Sequence, residues 1–215
     1  MPELFPVYQC THPDCRLRYP AQSGHGNPER CPKCGNPARL VESPQVDLHI
    51  RHHNSPVGAP IVEAFLDNIR STFNVGAMFR AADGAGLRRL HLAGITPFPG
   101  HPRLAKTALG AEQSVPWLHH PDGAKAIANL KAEGMQLWAL EGGEQAESIF
   151  TLPSIVSPDP ILLVVGNEIT GIDPAVVGLC EKRISIPMLG FKKSLNVAIA
   201  FGIAIYSIRF NLKIF

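Results

Sequence analysis

Short apolar runs alternate with helix-compatible segments from residue 61 onward. The runs are IVEAFLDNI, RRLHLAG, MQLWAL, ILLVV and RISIPM, and the segments between them include the alanine-rich stretch 74–85 and PDGAKAIANLKAEG. Strands that are apolar on both faces occur in parallel sheets that helices cover on both sides. The pattern therefore predicts an α/β domain with a mostly parallel sheet flanked by helices.

The last segment, SLNVAIAFGIAIYSIRF, is predicted to form a helix that is apolar almost all round. A helix of this kind has to be covered on more than one side. The sheet is one candidate for this cover, and a second subunit is the other.

Three loops of the predicted sheet contain glycine and follow apolar strands. They are EGGE after MQLWAL, GNEITGI after ILLVV, and MLGFKKSLN after RISIP. Ligands of parallel sheets bind at loops that leave the carboxyl ends of the strands, and glycine allows a close approach to the backbone. No G-x-G-x-x-G that opens a helix and no G-x-x-x-x-G-K-[ST] occurs. An ordinary dinucleotide or nucleoside-triphosphate site is therefore not indicated.

Four of the five cysteines lie near the amino terminus, as Cys10, Cys15, Cys31 and Cys34. Four thiolates in a C-x4-C and a C-x2-C pair suit tetrahedral zinc, and a cytosolic chain is more often a zinc protein than a disulfide protein. We predict a zinc-ribbon-like module over residues 1–43. So short a segment has little core, and its folding should depend on the metal.

Other potential ligands and nucleophiles have plainer interpretations. The proline-containing stretch 44–60 reads as a linker. Cys180 lies among apolar residues and fits a buried small side chain better than a nucleophile. Five histidines are better explained as surface loop or RNA-facing residues than as metal ligands: His12, His25, His49, His52 and His53.

The formal net charge of +2 conceals a segregation of charge along the chain. Residues 70–106 carry six Lys or Arg against one acidic residue, residues 107–181 carry two against ten, and residues 182–215 carry six against none. One joint basic surface would suit a polyanion such as RNA, and ordinary solvated charges are the alternative. With no membrane-length apolar run and no signal peptide at MPELFPVYQC, we expect a cytoplasmic protein without a membrane partner.

Four segments, in order, resemble the SpoU (TrmH-like) branch of the SPOUT RNA methyltransferases. They are DNIRSTFNVGAMFRAADGAG, KTALGAEQSVPW, ILLVVGNEITGI and ISIPMLGFKKSLNVAIAFGIAIY. The resemblance covers about residues 61–209 and includes all three motifs that define the branch. We therefore predict a SPOUT methyltransferase domain over residues 61–215. The cysteine module lies outside the resemblance, as an appendage of the sort that such enzymes use to grip RNA.

The resemblance implies a SPOUT fold with a deep trefoil knot near the carboxyl end. It further implies that S-adenosylmethionine, the methyl donor, is bound in a bent form within the knot, and that the protein is a homodimer with its sites close to the subunit boundary. The implied reaction is transfer of a methyl group to a ribose 2'-hydroxyl of tRNA or rRNA.

The functional positions of the family match residues of this chain one by one. The catalytic positions are Asn74 and Arg80 in the first motif, Glu168 in the second, and Ser194 and Asn196 in the third. Contacts to the donor are expected mostly from backbone groups, at Leu140, Gly142, Gly166, Ile186, Met188 and Leu195.

Arg80 is often cast as the base of this family. Removing the proton of an arginine side chain at neutral pH would cost about 7 kcal/mol. We hypothesise that Arg80 instead stays charged, points toward the donor methyl and the RNA backbone, holds a phosphate and stabilises the developing oxyanion. The proton would then go to that phosphate, to water or to Glu168.

Several of these residues have structural alternatives. Asn74 is expected to cap its helix as well as touch the site, and Ser194 could be only the N-cap of the last helix. Glu168 could be an exposed loop carboxylate. Weaker expectations of RNA contact, with loop fixation or plain solvation as alternatives, apply to Arg70, Lys106, Glu112, Lys192 and Lys193.

Two rival functions stay open at this stage. One is a catalytically silent RNA-binding protein on the same fold, and the other is a methyltransferase that acts on a base nitrogen. A pure zinc-ribbon scaffold is a third reading, which the three intact motifs disfavour.

Overall fold

A computed structural model describes residues 6–21, 26–42, 59–143, 145–153 and 159–210. The chain divides into two compact units, Met1–Asn54 and Ser55–Phe215. The division falls inside the stretch predicted as a linker. His25, His49, His52 and His53 lie outside the described residues.

The first unit contains a three-stranded antiparallel sheet. Its strands are β1 (Val7–Cys10), β2 (Arg18–Pro20) and β3 (Ala38–Glu42), in the order β2-β1-β3. Cys10 ends the central strand, and Cys31 and Cys34 lie in the turn that precedes β3. The pairs C-x4-C and C-x2-C therefore fall in two turns next to the sheet.

The second unit contains a seven-stranded sheet in which every described strand pair is parallel. The sheet consists of β4 (Val62–Asp67), β5 (Arg89–Ala93), β6 (Trp117–His120), β7 (Gln136–Leu140), β8 (Glu147–Ser148), β9 (Ile161–Val165) and β10 (Lys182–Ser185). The strand order is β6-β5-β4-β9-β7-β10-β8. The predicted α/β class and the five apolar runs predicted as strands are confirmed, whereas β6 and β8 were not predicted.

Helices cover both faces of this sheet. They are α1 (Thr72–Ala85), α2 (Leu104–Ala108), α3 (Ala111–Ser114), α4 (Gly123–Ala132), α5 (Pro174–Val177) and α6 (Val197–Phe210), with a 3₁₀ turn at Ile149–Thr151. Alternate residues of each central strand enter opposite cores. Leu163 of β9 packs with α1 and α6, whereas Leu162 packs with α4 and α5. The trefoil knot stays a prediction from the resemblance.

Among the described residues, helix α6 is covered on one side only. Phe201, Ile205 and Ile208 are fully buried, whereas Ile199, Tyr206 and Phe210 expose about half of their surface, at 56%, 44% and 48%. The described part of the chain therefore supplies only part of the cover that an all-round apolar helix needs. No helix among the described residues is long and apolar enough to cross a membrane.

A joint basic surface, one of the two alternatives that the charge pattern leaves open, does not include all the basic residues of the two segments. Arg88 and Lys182 lie at the amino ends of β5 and β10, and they pair with Glu63 and Glu147. Arg209 is buried and donates to the carbonyls of Ala85 and Pro60. All seven strands run the same way, so their amino ends lie at one edge of the sheet and their carboxyl ends at the opposite edge. Arg88 and Lys182 are therefore separated from basic residues that follow the carboxyl ends of the strands.

Candidate functional site

The candidate site lies where the chain order reverses across the parallel sheet. Strand β4 has β5 on one side and β9 on the other, and β7 and β10 follow β9. Loops that leave the carboxyl ends of strands at such a reversal diverge and leave a crevice. Here the loops after β7, β9 and β10 enclose a cavity of about 420 Å³.

All three loops that the sequence singles out line this one cavity. All six positions expected to contact a donor line it as well: Leu140, Gly142, Gly166, Ile186, Met188 and Leu195. Glu168, Ser194 and Asn196 are also part of the lining. The structure thus brings together residues that lie up to 56 positions apart, from Leu140 to Asn196.

Gly166 is required by a close backbone contact at the floor of the cavity. A Cβ atom at this position would lie 2.2 Å from Ile172 N and 2.3 Å from Gly171 C. The loop 166–172 folds back over its first residue through two hydrogen bonds between Asn167 and Gly171. Any side chain at position 166 would therefore force this loop away from the strand end.

A polar network joins the three motifs beside the cavity. The Asn74 amide donates to Glu168 Oε1 at 2.9 Å, and Asn74 Oδ1 accepts from the Asn196 amide at 3.1 Å. Glu168 also accepts from the backbone N–H groups of Arg70 at 3.0 Å and Ser71 at 3.2 Å. Asn74 is 7% exposed, so the network is anchored in the protein rather than in solvent.

The network favours the ionised form of Glu168. Partial burial raises the pKa of this carboxyl group, but hydrogen bonds from the Arg70 backbone, the Asn74 side chain and the Ser71 backbone outweigh it. The net result is a pKa below the usual value of a glutamate. A carboxylate that already accepts three hydrogen bonds is suited to hold its neighbours in place and poorly suited to take up a proton.

The expected cap at Asn74 is wrong, and the alternative reading of Ser194 as a cap is not supported. Ser71, not Asn74, is the N-cap of α1, because its side chain accepts from the backbone N–H of Asn74. Asn196, not Ser194, caps α6, because its Oδ1 accepts from the N–H groups of Ala198 and Ile199. The side chains of Asn74 and Asn196 thereby face each other across the network.

Asn68 and Asn167 are functional-site residues that the sequence reasoning missed. Asn167 donates to the backbone carbonyl of Asn68 at 2.7 Å and accepts from the N–H groups of Ile169 and Thr170. Asn68 has a φ of 55° and accepts from Ile95 N–H. Asparagine tolerates this left-handed conformation better than most residues. The asparagine in the segment DNIR could therefore have indicated a turn directly after β4.

Arg80 does not line the cavity. It lies on the exposed side of α1, and no hydrogen bond or ion pair joins it to another described residue. Six residues separate it from Asn74, which places the two about 120° apart around the helix. Within one chain, Arg80 is therefore presented to the surroundings rather than to the cavity.

The residues expected to contact RNA occupy several exposed positions. Lys193 lines the cavity, and Lys192 is the residue before it in the chain. Arg70 lies in the loop after β4. Lys106 is exposed on α2. Glu112 accepts from the backbone N–H of Gly110 at 3.0 Å, which supports its alternative as a loop-fixing residue.

The four amino-terminal cysteines form a second candidate site. Their sulfur atoms all lie within 4.8 Å of one another, with 3.5 Å between Cys10 and Cys34 and 3.8 Å between Cys15 and Cys31. Thiolates at about 2.3 Å from a tetrahedral zinc are about 3.8 Å apart, so this cluster could hold the ion. His12 is not part of the cluster. Cys180 is separate, and burial raises its pKa to about 12, which agrees with a structural thiol.

Comparison with known proteins decides the family. The model of the SpoU rRNA Methylase family matches residues 62–206. The chain belongs to the SpoU rRNA methylase family. The SpoU match covers the parallel sheet, α1, α4 and most of α6, and it excludes the cysteine cluster.

Named relatives of this SpoU protein are RNA ribose methyltransferases. The 23S rRNA (guanosine-2'-O-)-methyltransferase RlmB of Burkholderia sp is 33% identical over 162 residues, which are 73% of this chain and 62% of the relative. The tRNA (guanosine(18)-2'-O)-methyltransferase of Escherichia coli K12 is 29% identical over 68% of this chain and 62% of the relative. The chain thus spans about three fifths of these relatives.

Solved structures show the same SpoU architecture. The AdoMet-bound rRNA methyltransferase from Sinorhizobium meliloti matches with a TM-score of 0.65 and 26% identity, over 70% of this chain and 56% of that one. The SpoU methyltransferase AviRb from Streptomyces viridochromogenes, in complex with AdoMet, matches with a TM-score of 0.62 and 26% identity, over 81% and 68%. Both of these structures contain bound AdoMet.

Proposed function

We propose that this protein is an RNA methyltransferase that transfers a methyl group from S-adenosylmethionine to a ribose 2'-hydroxyl of tRNA or rRNA. The observation that carries the proposal is the single cavity formed by the loops after β7, β9 and β10. All three sequence motifs reach this cavity or the network beside it. The family membership and the named relatives agree with this activity.

The cavity fits the methyl donor. Its volume of about 420 Å³ lies within the usual range for small-ligand sites, about 300–1,000 Å³. The lining combines apolar side chains such as Leu140 and Ile186 with the backbone of Gly142 and Gly166. A nucleoside with an amino-acid tail needs both kinds of contact. S-adenosylmethionine, when bound, supplies an already activated methyl group.

The chain has to align the ribose hydroxyl with that methyl group and help the proton leave. Glu168, Asn74 and Asn196 hold the start of α1, the loop after β9 and the start of α6 in one arrangement. We assign Glu168 to this positioning role, because its lowered pKa and its three hydrogen bonds disfavour proton uptake. The proton acceptor is then an RNA phosphate or water.

Arg80 is assigned as a fixed cation that binds an RNA phosphate. Its exposure on α1 makes the guanidinium available to a polyanion. An Arg80→Lys variant should lose about tenfold to 100-fold in methyl transfer, because lysine lacks the planar fork. Near-normal turnover of this variant would contradict the assignment, as would an activity that keeps rising to a plateau near pH 12.

The direct test combines the full chain with methyl-labelled S-adenosylmethionine and total RNA. Nuclease digestion and mass spectrometry should locate the label on a ribose. Label on a base would instead establish base methylation, and RNA binding without label would establish a silent binding protein. An Asn74→Ala variant should lower transfer about 100-fold through misalignment. The matched variant Asn129→Ala, at an exposed position of α4, should leave transfer unchanged.

We further propose a cytoplasmic homodimer that uses the uncovered side of α6. Tyr206 and Phe210 form a groove with Phe150, and Ile199 extends the same apolar surface. Sedimentation should show a dimer, and Tyr206→Arg should yield a monomer because a charge would replace a half-buried aromatic ring. A monomeric wild-type chain would overturn this part of the proposal.

The amino-terminal unit is proposed to be a zinc ribbon over residues 1–43, joined through a linker at 44–60 to the methyltransferase domain at 61–215. The tetrahedral spacing of the four sulfur atoms supports zinc. Elemental analysis should find one zinc per chain. A metal-free chain with a folded ribbon would contradict this assignment.

A further inference from the structure

The loop between β10 and α6 carries two apolar side chains that nothing in the described chain covers. Leu189 is 100% exposed and Phe191 is 106% exposed. The other exposed large apolar residues range from 42% to 74%. A fully solvated phenylalanine forgoes the burial that usually favours an aromatic ring, and exposed apolar side chains next to a cavity often mark a binding surface.

This loop also forms part of the donor cavity. Met188, Lys193 and Ser194 line the cavity, and Phe191 lies two residues from Lys193. Two residues of extended chain span at most about 7 Å. Phe191 is therefore adjacent to the place where a substrate would meet the donor. On the facing loop after β9, Ile169 lines the cavity and is 74% exposed.

The charges around Phe191 indicate which partner covers it. Lys192 and Lys193 follow it and are exposed, and residues 182–215 contain no Asp or Glu. Aromatic rings flanked by cations are the surface that single-stranded nucleic acids bind, because bases stack on the ring and phosphates meet the cations. A second copy of the chain that met this loop with its own would bring four lysines together, which is unfavourable. The uncovered side of α6 is the better surface for a second copy.

We propose that Phe191 is a stacking platform for an unpaired base of the RNA substrate, at or next to the modified nucleotide, with Lys192 and Lys193 on the neighbouring phosphates. The inference rests on the proposed function. A nucleotide that leaves the helical stack can bend into a cavity between loops more readily than a stacked one, and loops, bulges and ends of RNA offer such nucleotides. Stacking on Phe191 replaces part of the stacking energy lost in that step.

The test measures RNA binding and methyl transfer for Phe191→Ala and Phe191→Trp in the full chain. A mixture of tRNA and rRNA transcripts serves as the probe. Phe191→Ala should raise the Kd and the KM for RNA about 5- to 100-fold. Phe191→Trp should restore both, because only a flat ring is needed. Leu118→Ala, at a half-exposed apolar position of the edge strand β6, is the control and should change neither.

Two further measurements separate the platform from other roles of the loop. The Kd for S-adenosylmethionine and the sedimented mass of Phe191→Ala should equal those of the wild type. An RNA Kd within twofold of wild type would overturn the inference, and so would a change from dimer to monomer. If the wild type binds RNA through Phe191 but transfers no methyl group, the platform stands and the proposed function fails.

Discussion

The cysteine-bearing unit and the SpoU domain bury apolar side chains on very different scales. In the described part of the first unit, the buried apolar residues are Cys10, Cys31 and Ala38. The second unit buries large side chains completely, including Phe65, Phe79 and Phe201. A core of the first size cannot offset the conformational entropy of folding, whereas a core of the second size can. We therefore expect the first unit to depend on a metal for its folding and the SpoU domain to fold without one.

The largest expected effect is the loss of the first unit on removal of its metal. Cys31→Ser, or chelation of the wild type, should unfold this unit, because structural zinc contributes roughly 10–16 kcal/mol to such modules. Elemental analysis and limited proteolysis of the full chain should show lost zinc and cleavage before residue 55, with the SpoU domain intact. Cys180→Ser should keep its zinc. Resistance of the zinc-free unit to protease would show that this unit folds without a metal, as the SpoU domain is expected to do.

The reverse experiment destabilises the SpoU domain alone. Phe201→Ala empties a fully buried site of α6 and should lower the free energy of unfolding by about 3–5 kcal/mol. Leu118→Ala, at a half-exposed position, should cost only about 0.5–1 kcal/mol. Urea denaturation, monitored by tryptophan fluorescence, measures the free energy of unfolding of both variants, since Trp117 and Trp138 lie in this domain. Loss of zinc at low urea in Phe201→Ala would show that the two units do not fold independently.

Acid should weaken the SpoU domain through Glu63, a carboxylate buried in β4. Burial raises its pKa, but hydrogen bonds from His91, at 2.6 Å, and from Arg88 bring it below the usual value. Its contribution is therefore complete above the unfolded pKa of about 4.3 and is lost as the pH falls through the lower folded pKa. Glu63→Gln should cost about 2–3 kcal/mol at pH 7.

Urea denaturation of wild type and Glu63→Gln between pH 7 and pH 3 checks this expectation. The difference between the two free energies of unfolding should shrink toward acid pH. A difference that stays constant over this range would show that ionised Glu63 is not the stabilising species.

The smallest expected effects concern RNA and ask whether both units contribute to binding. Lys106→Ala, in the SpoU domain, should weaken RNA binding about threefold and reduce the salt dependence by about one unit of slope. Lys33→Ala, at an exposed position of the C-x2-C turn, should do the same if the ribbon grips RNA. Filter binding at several salt concentrations gives both values. If Lys33→Ala keeps its zinc and binds RNA like the wild type, the contacts to RNA phosphates belong to the SpoU domain alone.

Much of the SpoU domain could be predicted from local patterns. The runs MQLWAL and ILLVV became β7 and β9, and the glycine loops after them line the cavity. The strand WLHH was missed because half-exposed histidines at an edge do not give an apolar run. The caps were misplaced because Ser71, Asn74, Ser194 and Asn196 all have capping side chains, and only the contacts choose among them.

The sequence by itself determined the α/β class, the family, the four cysteines of the candidate metal site and the residues of the three motifs. These depend on residue type and spacing, which local physics and family resemblance can interpret. Only the tertiary structure decided that Glu168 is held by Asn74 and two backbone N–H groups, and that Arg209 is buried while Phe191 is fully exposed. These facts depend on which strand ends meet, and the order of a parallel sheet is set by contacts between residues that are distant in the chain.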